Sequence, residues 1–138
     1  TGSTTMQLNK KTRAEDLDWN DKTILVVEDV ETNLLFIQAA ISKTGINIIW
    51  AKDGMEAIEK VETEPSINIV LMDLRMPKLD GFKATEVIKN IRNELPVIAQ
   101  TTYTEDYDKD RVFDAGCDAY LAKPIRLDAL LETLQKFI

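Results

Sequence analysis

The chain has 138 residues, 44% hydrophobic and 30% charged, which fits one globular domain whose core needs no disulfide or structural metal. Its formal charge of −7 leaves no basic footprint for nucleic acid. The absence of histidine excludes serine–histidine and cysteine–histidine nucleophile systems and histidine zinc sites, and no apolar run approaches the ~18–20 residues of a membrane span.

Residues 1–20 are polar, rich in Thr, Asn and Lys, and lack the apolar stretch of a signal peptide. They read as a tail or linker, or as a remnant ahead of a natural start such as Met6, with Leu17 and Trp19 available to dock on a domain spanning 22–138. From there the pattern alternates. Residues 23–27 (TILVV) form a short apolar run, as in a strand buried on both faces. Residues 32–43 follow as a helix with Leu34, Ile37 and Ile41 inward, closed by Gly45. Residues 46–50 are a second strand. Residues 54–63 are a second helix, with Met55, Ile58 and Val61, and Ala57 beside them, on its inner stripe. Residues 67–72 are a third strand, the most central in character, and 76–81 a loop with Pro77 and Gly81. Residues 82–91 are a helix, 96–100 a strand, 106–115 a helix and 119–121 a short strand. Residues 126–137 close the chain as a helix with Leu127, Leu130, Leu131 and Leu134 inward. Cys117, the lone cysteine, forms no intrachain disulfide, which suits a reducing compartment, and reads as a small buried apolar side chain.

Five β–α repeats imply an α/β fold, a doubly wound five-stranded parallel sheet with helices on both faces. Its ligands belong at the carboxyl ends of the strands. Glu28 and Asp29 follow strand one, Asp73 follows strand three, Thr101 and Thr102 follow strand four, and Lys123 with Pro124 follows strand five. Each feature alone is common in turns and helix caps. Their joint position on one rim brings three carboxylates, a hydroxyl pair and an ammonium together. Crowded carboxylates repel unless a counter-charge is present. Mg²⁺ (or Mn²⁺) supplies one, since it prefers hard oxygen ligands and needs only one or two direct carboxylates. Such a set suits phosphoryl transfer, which needs mainly positioning and charge stabilisation, with a carboxylate as nucleophile.

Four stretches, ILVVED (24–29), IVLMDLRMPKLDGF (69–82), PVIAQTT (96–102) and AYLAKP (119–124), resemble the receiver domain of two-component response regulators. The resemblance covers 22–138. It implies the flavodoxin-like (βα)5 fold with strand order 2-1-3-4-5. Asp73 then matches the phosphoacceptor, Asp29 the direct metal ligand, Glu28 the acid acting mostly through water, and the Arg75 backbone carbonyl a further ligand. Thr101 matches the hydroxyl that follows the phosphoryl group, Lys123 the signature lysine and Tyr120 the aromatic switch. Pro124 fits a cis Lys–Pro bond. Thr102 departs from the usual small residue, and Arg75, Thr102 and Tyr103 stand where the family tunes phosphate lifetime.

By the same resemblance, the partners are a histidine kinase or histidine phosphotransfer domain as donor, and a downstream protein at the face of helix four, strand five and helix five. Neither nucleic acid nor membrane contact is expected. The location implied is cytoplasmic, either stand-alone or as the cytoplasmic part of a membrane-anchored hybrid kinase; Glu28, Asn33 and residues 1–20 favour the hybrid. The domain would assist its own phosphorylation and dephosphorylation without being a turnover enzyme. Three competitors are weaker. A haloacid-dehalogenase-type phosphatase wants an Asp where Arg75 stands. A flavodoxin-like nucleotide module wants a Gly/Ser/Thr-rich loop where Glu28–Glu31 stand. A degenerate receiver acting only as a scaffold would not need all the key residues.

Overall fold

The computed structural model describes residues 13–74, 81–101 and 106–138. Strands β1 (Thr23–Val27), β2 (Asn47–Ala51), β3 (Ile69–Asp73), β4 (Val97–Thr101) and β5 (Ala119–Ala122) alternate with helices α1 (Glu31–Ile41), α2 (Gly54–Thr63), α3 (Gly81–Ile91), α4 (Asp106–Asp114) and α5 (Leu127–Phe137). All pairings are parallel, in the order β2-β1-β3-β4-β5. The three inner strands are buried at every position, which is why they read as continuous apolar runs.

Side chains alternate across the sheet and split the core into two layers. Leu25, Val27, Val70, Met72, Val97 and Ala99 pack with residues of α2, α3 and α4. Ile24, Val26, Ile69, Leu71 and Ile98 pack with Leu34, Ile37 and Ile41 of α1 and with Leu130, Leu131 and Leu134 of α5. Counting by two along the strands places Glu28, Asp73 and Gln100 on this second face. Functional side chains at the rim therefore inherit their side of the sheet from the apolar residues beneath them.

Two expected inward residues point out. Met55 is 60% exposed and Leu127 44% exposed. On α2 the buried residues are Gly54, Ala57 and Val61, a stripe that leaves Met55 on the opposite arc. Leu127 opens α5, before the turn at which Leu130 and Leu131 reach the sheet. Asp53, which the sequence reading passed over, caps α2 by accepting the Glu56 backbone N–H at 2.9 Å. Gly45 ends the 3-10 turn Ser42–Thr44 with φ 82°, a left-handed conformation that glycine adopts without steric cost. Residues 13–20 also touch the domain: Ala14 and Trp19 are each 6% exposed and join the α1–α5 core layer, and the Trp19 N–H donates to Thr44 O at 2.8 Å. Among the described residues no helix is long and apolar enough to cross a membrane.

Cys117 is 5% exposed, and burial pushes its thiol up to about 11 from 9.0. The folded state thus disfavours the thiolate. That contribution is fully present below pH 9.0 and lost as pH rises through about 11, on the order of 2–3 kcal/mol in all. In urea denaturation, wild-type stability should fall across this window more steeply than that of Cys117→Ala. Parallel pH profiles would contradict the buried thiol.

Candidate functional site

The acidic side of the rim is built by hydrogen bonds that carry strand pairing past the strand ends. The Glu28 N–H donates to Ala51 O at 3.0 Å, and the Trp50 indole N–H donates to Glu28 O at 2.8 Å. Glu28 is fully buried. Its Oε1 accepts from Asn33 Nδ2 at 3.1 Å and from the Val30 N–H at 3.3 Å. Its Oε2 has no hydrogen-bond partner among the described residues, and the Lys123 ammonium lies 4.0 Å away. Burial raises the Glu28 carboxyl above its ordinary range; the Asn33 bond opposes this, the Asp73 charge adds to it, and Lys123 opposes it.

Asp73 ends β3 and is 2% exposed. Lys123 Nζ donates to its Oδ2 at 3.0 Å. Asp29 is exposed, and one carboxylate oxygen from each of Glu28, Asp29 and Asp73 lies within 4.8 Å of the others. Thr101 ends β4, 2% exposed. Its carbonyl accepts the Lys123 N–H at 2.9 Å, so the ends of β4 and β5 are tied through the backbone of the lysine itself. The Lys123–Pro124 peptide is cis, as the resemblance implied.

Gly81 allows α3 to start against this cluster. A Cβ there would lie 2.5 Å from Asp73 O and 2.6 Å from Leu74 Cα, both backbone atoms that cannot swing aside. The sequence marked Gly81 only as a loop residue, because the close approach exists only once α3 and β3 are packed.

Glu28, Asp29, Asp73, Thr101 and Lys123 thus gather at one rim. Tyr120 does not join them. It lies in β5, half-buried against the layer under α2–α4, with its ring edge-on to Phe113 at 6.0 Å and 73° and the Lys109 ammonium 5.9 Å from its ring. Arg75, Thr102 and Tyr103 lie outside the described residues. Sequence reasoning missed two residues. Asn33 was noted only as a subgroup resemblance, yet it holds Glu28. Gln100, a polar side chain inside the strand VIAQT, carried a visible signal, since an amide buried in a central strand calls for a partner.

A buried carboxylate oxygen without a hydrogen-bond partner among the described residues, beside two further carboxylates, is a setting for a hard cation. The sequence matches the family described as response regulator receiver domain over residues 24–135. The chain belongs to the response regulator receiver family. It is a domain of two-component phosphorelay signalling, and receiver domains bind Mg²⁺ at an acidic pocket of this kind. The polar-differentiation response regulator DivK of Brucella ovis is 30% identical over 119 residues, covering 85% of this chain and 96% of DivK. The hybrid signal transduction protein dokA of Dictyostelium discoideum is 36% identical over 120 residues, covering 85% of this chain but 7% of dokA. Among solved structures, the receiver domain of sensor histidine kinase PA1611 from Pseudomonas aeruginosa, with a magnesium ion coordinated in its active site cleft, superposes with TM-score 0.77 and 33% identity, covering 84% of this chain and 96% of that one. The receiver domain of Saccharomyces cerevisiae Ssk1, in complex with the histidine phosphotransfer protein Ypd1, gives TM-score 0.78 and 26% identity, covering 85% and 88%.

Gly81→Ala should destabilise this receiver by about 1–3 kcal/mol, because backbone must move to admit the methyl group. Urea denaturation measures the loss; an unchanged midpoint would show that α3 does not need the close approach to Asp73.

Proposed function

We propose that Asp73 is the phosphoacceptor of this receiver and that the donor is a phosphohistidine on a histidine kinase or histidine phosphotransfer domain. The observation that carries this reading is the buried Asp73 carboxylate, held at 3.0 Å by Lys123 inside a three-carboxylate cluster. A carboxylate oxygen of Asp73 attacks phosphorus, the phosphorus–nitrogen bond breaks, and its electron pair leaves on the donor imidazole. Lys123 orients the nucleophile beforehand and pairs with a phosphoryl oxygen afterwards. Thr101 offers its hydroxyl to another.

Glu28, Asp29 and Asp73 fit a divalent cation: they are hard oxygen donors, and Glu28 Oε2 is buried without a hydrogen-bond partner among the described residues. When bound, Mg²⁺ or Mn²⁺ would neutralise charge developing on the phosphoryl oxygens. The backbone carbonyl of Arg75, expected as a further ligand, belongs to a residue outside the described set.

The modification adds a dianionic group at the end of β3. Lys123 feels it through its ammonium and Thr101 through its hydroxyl, and the Lys123 N–H to Thr101 O bond couples their displacements. Tyr120 then reports on the other sheet face, and α4, β5 and α5 present the changed surface to a downstream partner. This is a population shift between two states. Glu28 and Asn33, together with the likeness to a segment of the hybrid protein dokA, support placing the chain in a hybrid kinase, with a cytoplasmic location.

With acetyl phosphate and Mg²⁺, Asp73→Asn should lose labelling at this site; stoichiometric labelling of that variant would sink the assignment. Mg²⁺ should raise the melting temperature, with about 2.7 kcal/mol of stabilisation at a hundred times Kd, and Asp29→Asn should abolish the shift. An equal shift in Asp29→Asn would mean that the cation binds elsewhere. Lys123→Ala should retain some labelling while losing the Tyr120 response to it, read by the tyrosine ring resonances.

A further inference from the structure

Glu28 is held at three of its four polar atoms. Its N–H donates to Ala51 O at 3.0 Å, and its carbonyl accepts the Trp50 indole N–H at 2.8 Å. Its Oε1 accepts from Asn33 Nδ2 and from the Val30 N–H. Its Oε2 alone has no hydrogen-bond partner among the described residues. The Trp50 bond differs from the rest, because a side chain of the neighbouring strand makes it. Trp50 pairs in register with Val26, two residues before Glu28, so its indole reaches along β1 to the strand end.

Packing alone does not call for tryptophan here. Trp50 is half-buried, like Ile48 and Ile49 before it, and an aliphatic side chain would cover the same core layer. What tryptophan adds is an N–H donor on a rigid ring. The carbonyl it holds belongs to the peptide joining Glu28 to Asp29, two of the three clustered carboxylates. The Lys52 ammonium, 5.8 Å from the ring centroid, adds a cation–π contact to the same indole. We propose that Trp50 is a positioning residue for the cation site: by holding the Glu28–Asp29 peptide it sets the affinity for Mg²⁺ and the preference for Mg²⁺ over Ca²⁺. The inference rests on the cation reading of Glu28, Asp29 and Asp73. Mg²⁺ demands near-octahedral ligand positions, whereas Ca²⁺ accepts variable geometry. Freeing the peptide therefore weakens Mg²⁺ binding more than Ca²⁺ binding.

The chain has two tryptophans, and the other supplies the control. Trp19 lies in the same core layer but ahead of β1, at the end of the strands away from the rim, where its backbone N–H bonds Thr44 O. Calorimetry of the full chain gives Kd for each cation, and ¹H–¹⁵N NMR follows the two indole N–H groups. Mg²⁺ should shift the Trp50 indole resonance with the calorimetric Kd and leave that of Trp19 in place. Trp50→Phe should weaken Mg²⁺ binding about five-fold, as the loss of one hydrogen bond implies, and Ca²⁺ binding by less than about two-fold. Benzothienylalanine at position 50, which keeps the ring and replaces its N–H with sulfur, should match Trp50→Phe. Trp19→Phe should leave both constants unchanged, whatever it does to the urea midpoint. The role of Trp50 is overturned by wild-type Mg²⁺ affinity in Trp50→Phe or in the benzothienylalanine protein, by an equal loss in Trp19→Phe, or by equal losses of Mg²⁺ and Ca²⁺ binding. Absence of Mg²⁺ binding in the wild type would overturn the cation reading along with it, an outcome distinct from each of these.

Discussion

The contact between Lys123 and Asp73 at 3.0 Å is the interaction around which the rim is organised. Asp73 is 2% exposed and Glu28 fully buried, and both share a 4.8 Å cluster with Asp29. At an effective dielectric near 20, unit charges about 4 Å apart interact by about 4 kcal/mol. Crowding three carboxylates is therefore tolerable only beside a positive charge. One ammonium lessens the repulsion without cancelling it; the Glu28 carboxyl is raised chiefly by burial, with the Asp73 charge adding to the rise and Lys123 opposing it. The folded state holds this imbalance because the sheet beneath is rigid and apolar.

The sheet makes that placement reproducible. Residues 24 and 26, 69 and 71, and 98 fill the layer under α1 and α5; two-residue periodicity carries Glu28, Asp73 and Gln100 onto the same side. A one-residue slip in any of these strands would turn its rim side chain to the α2–α4 face and bury a carboxylate or an amide in hydrocarbon. Register is thus enforced by core packing rather than by the polar residues themselves. Gly81 serves the same end on the other flank, since a side chain there would collide with the backbone at Asp73 and Leu74.

The same geometry separates the acidic rim from the aromatic of β5. Glu28, Asp73 and Gln100 lie on the α1–α5 face, whereas Tyr120 packs on the α2–α4 face against Phe113. The link between them runs through the end of β4, where Thr101 O accepts the Lys123 N–H, three residues along from Tyr120. The rim and the aromatic are thus joined only through backbone, with Tyr120 on the other face of the sheet.

Much of this was legible in the sequence. Continuous apolar runs at 23–27 and 67–72 mark buried parallel strands, and the acids, hydroxyls and lysine stand at strand ends because that is where such a fold can hold them. Helical periodicity was less sufficient. Met55 and Leu127 were expected inward yet are exposed, because the buried stripe of α2 runs through Gly54, Ala57 and Val61 and Leu127 opens α5 ahead of the turn that buries Leu130 and Leu131. Gly81 as the seat of α3 and Trp19 against Thr44 depend on contacts between distant segments, and Asn33 as the support of Glu28 depends on how the turn between β1 and α1 folds back. The sequence by itself determined which groups carry charge, which strands are buried and which residues end them, because periodicity and strand-end position are local properties. Only the tertiary structure decided which of those charges share one 4.8 Å cluster, which buried polar atoms remain unmatched and which face each residue serves, because distances between strands are set by packing that no single segment encodes.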